Sequence, residues 1–106
     1  MAFIGINIGA LTVKLVALRG AAKTAVVQAH HGRPLDVLGQ LLAAPALADA
    51  EFFTVAGALG DVTEVAAIQR ALRESGETYD AVAALGGESF LVYILTDGKI
   101  AQVHSH

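Results

Sequence analysis

Two kinds of hydrophobic spacing alternate along the chain and predict an α/β protein with an antiparallel meander at each end. Short apolar runs, some with every second residue apolar, indicate strands. Apolar residues three and four apart indicate two helices, the first between Pro34 and Pro45 and the second ending at Gly76. The predicted strands are residues 3–9, 12–18, 24–30, 52–56, 81–85, 90–95 and 100–104. The predicted order is therefore βββ-α-β-α-βββ.

Turn and cap signals separate these elements. Residues 19–23 are expected to form a hairpin turn, and Asp97-Gly98 has the sequence of a two-residue hairpin turn. Asp61 and Glu64 have the spacing of a capping box, so Asp61 is the predicted N-cap of the second helix.

The two meanders resemble each other. Residues 5–9 and 13–20 align with residues 83–87 and 91–98, and each copy runs strand, glycine turn, strand, turn, strand. Only the first copy is followed by α-β-α, which indicates a duplication whose second copy is truncated. The expected domains are residues 1–80 and the opening meander of a second half at 81–106.

Composition narrows the function classes. With 55% apolar and 16% charged residues, the chain is not intrinsically disordered. It has no cysteine, which excludes a disulfide scaffold and thiolate chemistry within this sequence. Its seven Lys and Arg are scattered and its net charge is −3, so nucleic acid is not an expected partner. No apolar run approaches the roughly 18 residues of a membrane span, and a soluble cytoplasmic protein is expected.

The glycine turn after the first strand is a candidate phosphate site. A turn with glycine presents backbone N–H groups with no Cβ in the way, and such a tip can cradle phosphate oxygens. Beyond Gly9, Thr12 adds a hydroxyl and Lys14 a positive charge, while Asn7 is a polar residue near the end of the strand. The alternative is an ordinary β-turn with a solvated lysine and a turn-capping asparagine.

The run from Gly5 to Val16, GINIGALTVKLV, resembles the first phosphate motif of the acetate and sugar kinase/chaperone/actin superfamily. Within that superfamily it is most similar to the BadF/BadG/BcrA/BcrD ATPases, which activate 2-hydroxyacyl-CoA dehydratases and benzoyl-CoA reductases. The loop at residues 55–60 is similar to the family's phosphate-proximal turn, and residues 84–89 resemble its second phosphate motif.

The resemblance implies a ribonuclease-H-like, actin-like ATPase half with a mixed sheet. It implies ATP and Mg²⁺ as cofactors, and coupling of ATP binding to a movement that drives electron transfer to a dehydratase or reductase component. That component and a second copy of the chain are the implied partners, and the family's iron–sulfur cluster belongs to a segment beyond His106. The implied catalytic positions are Asn7 and Glu64. The implied nucleotide-binding positions are Gly9, Thr12, Lys14, Gly57, Gly86, Gly87 and Glu88.

Departures from the family pattern leave a second interpretation open. Asn7, Ala84 and Ser89 stand where the family has acidic residues, and phosphoryl transfer depends on charges placed by such groups. The alternative is a catalytically degenerate actin-like domain that serves as a structural or regulatory interaction module. A small-molecule kinase fragment of the same superfamily is a third interpretation, without a visible substrate pocket.

Four histidines lie at predicted strand ends, but no third ligand follows at a recognisable spacing, so no metal site is expected. They are His30, His31, His104 and His106.

Overall fold

The computed structural model describes residues 2–57, 59–60 and 62–105. In these ranges the helices and strands follow the predicted order βββ-α-β-α-βββ. The chain divides into two compact units, Met1–Val62 and Thr63–His106. The expected division of the two repeats at residue 80 stays a prediction.

The first unit is a four-stranded mixed sheet with one helix. Its elements are β1 (Ala2–Ile8), β2 (Thr12–Arg19), β3 (Ala22–Ala29), α1 (Pro34–Leu42), a 3₁₀ turn (Pro45–Leu47) and β4 (Ala50–Gly57). The strand order is β3-β2-β1-β4, with β1 antiparallel to β2 and parallel to β4. The mixed sheet is confirmed.

Alternate residues of β1 and β2 form the core of this unit. The buried side chains of β1 and β2 lie on one sheet face, where α1 packs against them through Val37, Leu38, Leu41 and Leu42. The buried residues are Ile4, Ile6, Ile8, Val13, Leu15 and Ala17. Each fully buried aliphatic side chain of this size contributes about 1.5–3 kcal/mol. The predicted alternation in β2 is confirmed, and the polar residues Asn7, Thr12 and Lys14 occupy the opposite face.

The second unit contains α2 (Glu64–Ser75) and a three-stranded antiparallel sheet of β5 (Ala81–Leu85), β6 (Phe90–Thr96) and β7 (Lys99–Ser105). Gly76 ends α2 in the left-handed region with φ 70°, as predicted. On β6, Tyr93 is buried and its hydroxyl has no hydrogen-bond partner among the described residues. Burial, and to a smaller degree the charge of Glu64, raises the pKa of Tyr93.

The predicted cap of α2 was wrong. Asp61 lies outside the described residues, and the N-cap is Thr63, whose Oγ1 accepts a hydrogen bond from the Ala66 N–H at 3.1 Å. Because the helix begins at Glu64, that carboxylate occupies the first helical position instead of the third, where a capping box needs it.

The two predicted hairpin turns, between β2 and β3 and between β6 and β7, contain two residues each. The turn predicted at residues 19–23 is shorter than expected, because Arg19 already pairs with Ala22 across the β2–β3 ladder. The Asp97-Gly98 turn is confirmed, and both of its residues have positive φ, 53° and 76°, as a type I′ turn requires.

An ion pair joins the end of β2 to the segment before β4. Arg19 donates from Nη1 to Asp49 Oδ2 at 2.5 Å and from Nη2 to Asp49 Oδ1 at 2.6 Å. Nη2 also donates to the Ala46 carbonyl oxygen at 2.8 Å. The Arg19 guanidinium holds the pKa of Asp49 well below its usual range.

This lowered pKa predicts an acid-dependent loss of stability. Because the folded-state pKa lies below the unfolded value of about 4, the Asp49 carboxylate stabilises the fold above that pH, and its contribution falls as pH drops toward the folded pKa. Urea unfolding should show Asp49→Asn less stable than the wild type at pH 7, with the difference narrowing below pH ~4. Arg19→Met should show the same narrowing, and a pH-independent difference in both variants would contradict the prediction.

Candidate functional site

The first glycine turn joins β1 to β2. The Gly9 N–H donates to the Thr12 carbonyl oxygen at 2.9 Å, directly after the paired residues Ile8 and Val13. The N–H groups of Ala10 and Leu11 have no hydrogen-bond acceptor in the part of the chain that the structure describes. The tip therefore offers two free amide donors, which is the arrangement that a phosphate-binding turn requires.

His30 holds the other side of this turn. Its Nδ1 accepts from the Gly32 N–H at 3.0 Å, so in the neutral ring the proton lies on Nε2, which donates to the Gly9 carbonyl oxygen at 2.9 Å. The backbone N–H of His30 also donates to the Leu11 carbonyl oxygen at 3.0 Å. The ring is buried, with 7% of the residue exposed.

Sequence reasoning considered His30 only as a metal ligand and missed this contact. The prediction that ended the third strand at His30 placed it in the ladder, whereas β3 ends at Ala29 and His30 follows it. The contact depends on the pairing of Thr12 with Ala29, which brings the residue after Ala29 to the turn and which only the structure shows.

Asn7 and Lys14 are cross-strand neighbours on the sheet face that points away from the core. Asn7 pairs with Lys14 on β2 and with Ala56 on β4, and neighbouring Cα atoms in such rows lie roughly 5 Å apart. Lys14 is exposed and forms no ion pair with any described residue. Its charge is therefore available to an anion at this end of the sheet.

Gly57 ends β4 beside Asn7. Its φ of 95° is in the left-handed region, and a Cβ there would lie 2.2 Å from the Ile8 carbonyl oxygen and 3.0 Å from Asn7 Oδ1. Only glycine permits this approach of β4 to β1. The structure thus brings together five of the predicted site residues at the edge where parallel β1 and β4 end, where open α/β sheets bind ligands. They are Asn7, Gly9, Thr12, Lys14 and Gly57.

The second glycine turn lies in the other unit and has the same closure. The Gly86 N–H donates to the Ser89 carbonyl oxygen at 2.8 Å, after the paired residues Leu85 and Phe90. Gly87 and Glu88 form its tip, and their N–H groups have no acceptor within the described ranges. The predicted Glu64 is the exposed first residue of α2 in this unit.

The matching closures correct the predicted alignment of the two meanders. The structural counterpart of Gly9 is Gly86, not Gly87, so the sequence alignment is displaced by one residue. Strand pairing, which the two sequences alone do not show, decides the register. In the corrected register Asn7 corresponds to Ala84, and Thr12 to Ser89.

The described residues do not fit a magnesium site of their own. Mg²⁺ in nucleotide sites is held by one or two carboxylates together with phosphates and water. Asn7 offers a neutral amide oxygen, and no three His, Asp or Glu side chains are grouped to hold a metal ion in the described ranges. His106 lies outside those ranges, and the remaining histidines form no such group.

Comparison with solved structures decides the fold. Over its full length, the chain is similar to the structure of (R)-2-hydroxyglutaryl-CoA dehydratase component A from Acidaminococcus fermentans, with a TM-score of 0.65 and 15% sequence identity. It also matches over its full length the ethanolamine utilization protein EutJ from Carboxydothermus hydrogenoformans, with a TM-score of 0.55 and 17% identity. The chain has the actin-like ATPase fold.

The ribonuclease-H-like fold class expected from the sequence is confirmed. The chain covers 47% of component A and 52% of EutJ, so it spans about half the length of these structures. No protein-family model and no curated protein matches it. No helix in the described ranges is long and apolar enough to cross a membrane.

Proposed function

We propose that this chain is an ATP-binding part of an actin-like ATPase, in which the Gly9–Thr12 turn holds the phosphates. The observation that carries the proposal is the pair of N–H groups at Ala10 and Leu11, which have no acceptor among the described residues, at the end of the sheet where Lys14 forms no ion pair with any of them. This combination recognises an anion, and its place at the ends of β1 and β4 is where ligands meet such sheets.

Each residue of the edge has a defined part in this proposal. The two amides donate to phosphate oxygens, the Thr12 hydroxyl adds a donor, and the Lys14 ammonium balances the phosphate charge. The Asn7 side-chain amide orients the phosphate chain from the neighbouring strand. In the other unit, Gly86 closes a turn of the same kind, and the N–H groups of Gly87 and Glu88 at its tip are a second pair of candidate phosphate donors.

We further propose a BadF-type activator, in which ATP binding drives electron transfer to a 2-hydroxyacyl-CoA dehydratase or benzoyl-CoA reductase. The sequence resemblance and the fold likeness to component A support this assignment. In that case the active assembly is a homodimer with an iron–sulfur cluster. ATP-dependent electron transfer to a purified dehydratase or reductase component would test it.

The loss of acidic residues favours a second candidate, a degenerate actin-like module that binds nucleotide without turnover. Asn7, and Ala84 and Ser89 in the second turn, are uncharged where phosphoryl transfer uses carboxylates. ATP turnover with and without Mg²⁺ separates the candidates, because an ATPase needs the metal and a degenerate module hydrolyses nothing in either condition.

The binding proposal is tested by calorimetric titration of the chain with ATP, up to millimolar concentration. Replacing Lys14 with methionine should weaken binding roughly tenfold, because it removes a charge-assisted hydrogen bond to phosphate. The matched control is Lys23→Met, since Lys23 is also an exposed lysine of this sheet but pairs with Leu18 at the opposite end. No ATP binding, or equal effects of both substitutions, would overturn the proposal.

A further inference from the structure

We propose that His30 is a positioning residue that aims the free N–H group of Ala10, in the Gly9–Thr12 turn, at the phosphates. The identity of the ligand rests on the proposed function, whereas the orientation of the turn by His30 rests on geometry alone. The buried ring joins two backbone segments, accepting at Nδ1 from Gly32 and donating from Nε2 to Gly9.

The peptide between Gly9 and Ala10 transmits this contact to the site. A trans peptide is planar, so its carbonyl oxygen and its N–H point in opposite directions. Since His30 binds the Gly9 carbonyl oxygen, the N–H of Ala10 is directed away from the ring. Accepting a hydrogen bond at the carbonyl also polarises that N–H and strengthens it as a donor.

The backbone of His30 acts in the same way two peptides further along, on the peptide between Leu11 and Thr12. Its N–H binds the Leu11 carbonyl oxygen, so the N–H of Thr12 is directed away from it. His30 therefore engages the carbonyl oxygens of Gly9 and Leu11, the first through its ring and the second through its backbone. At these two peptides it prevents a carbonyl dipole from facing an anion, which the dipole would repel.

No other hydrogen bond to the Gly9 carbonyl oxygen is present among the described residues. The space beside Gly9 is open, since a Cβ there would meet only the Thr12 carbonyl oxygen, at an ordinary 3.6 Å. Glycine also permits rotation of the following peptide, which would exchange the positions of carbonyl and N–H. The hydrogen bond from Nε2 is the described contact that opposes this rotation.

Three substitutions separate the two ring contacts. Glutamine at position 30 can carry an amide N–H to the Gly9 carbonyl oxygen, asparagine retains only an acceptor near Gly32, and alanine retains neither. Titration with ATP and with inorganic tripolyphosphate should show His30→Ala and His30→Asn binding about three- to tenfold more weakly, and His30→Gln within about twofold of the wild type.

The matched control is His31→Asn, because His31 is exposed, has a φ of 49° and makes no hydrogen bond to the turn. Asparagine tolerates that conformation. The control should bind like the wild type. If all three substitutions of His30 lower stability but leave both affinities unchanged, the residue is merely structural and the inference is wrong.

If the wild type binds neither ATP nor tripolyphosphate, the proposed function is wrong, but the role of His30 in the turn can still be tested by two nuclear magnetic resonance measurements. Long-range ¹H–¹⁵N correlation should show the Nε2–H tautomer of His30. The Ala10 amide resonance should shift in His30→Ala and remain in place in His31→Asn. An Nδ1–H tautomer, or an Ala10 resonance insensitive to His30→Ala, would overturn the inference.

Discussion

Replacing Gly57 with alanine is expected to destabilise the fold by about 3 kcal/mol or more. Two costs combine at this position. A φ of 95° is strained for any residue with a Cβ, and the new Cβ would lie 2.2 Å from the Ile8 carbonyl oxygen. Because the positions of the new Cβ and of the Ile8 carbonyl oxygen are both fixed by the backbones of paired strands, no rotamer change relieves the 2.2 Å contact, and the parallel β1–β4 pairing must open at Ile8.

Gly20→Ala is the matched control for the first of these costs. Gly20 also has a positive φ, 60°, but a Cβ there meets nothing within 4 Å. Gly20→Ala should lower the free energy of unfolding by about 1–2 kcal/mol, the backbone cost of the left-handed conformation. Urea unfolding followed by circular dichroism gives both values. Equal destabilisation of the two variants would contradict the prediction, because it would mean that β4 and β1 can move apart enough to accommodate a methyl group without a further loss of stability.

The same substitution links stability to the candidate site. The Cβ at position 57 would also stand 3.0 Å from Asn7 Oδ1, so the side chain that shares a row with Lys14 must move. The loop that the sequence resemblance placed near phosphate is thus tied to the first turn by close backbone packing.

Local patterns explain which elements could be predicted. Alternation along β1 and β2 depends only on which residues face the core, and a glycine at a helix end or an Asp-Gly turn acts within a few residues. The order of strands and helices and the positions of both glycine turns follow from such signals. So do Asn7 and Lys14 as neighbours, once the turn between their strands is recognised.

Features that depend on distant or competing partners could not be predicted. His30 serves the site only because its ring meets the Gly9 carbonyl oxygen, far away in sequence. For the cap of α2, the spacing of Asp61 and Glu64 competed with Thr63, and the start of the helix at Glu64 decided for threonine. For His30 the partner is set by a tertiary contact, which the local sequence does not encode.

The missing acidic residues have a specific consequence for magnesium. The wild type is expected to bind ATP with affinities that differ by no more than about twofold between solutions with and without Mg²⁺. The Asn7→Asp variant should instead bind ATP in a strongly Mg²⁺-dependent way. Asn7 contributes a neutral amide oxygen beside Lys14, whereas Mg²⁺ in nucleotide sites favours a carboxylate together with phosphate oxygens. We expect Asn7→Asp to bind ATP roughly 10- to 100-fold more tightly with Mg²⁺ than without it, the range typical of changes around a metal site.

Thr54→Asp controls for charge alone in this experiment. Thr54 is exposed on β4 and pairs with Gly5, so it lies on the same sheet face as Asn7, one row of that face further from the turn. A carboxylate there repels ATP weakly in both conditions but lies too far from the turn to join phosphate oxygens around a metal. Calorimetric titrations with ATP, with and without Mg²⁺, should therefore give a metal-dependent affinity only for Asn7→Asp. Equal metal dependence in both variants would mean that the position of Asn7 has no special relation to the phosphates.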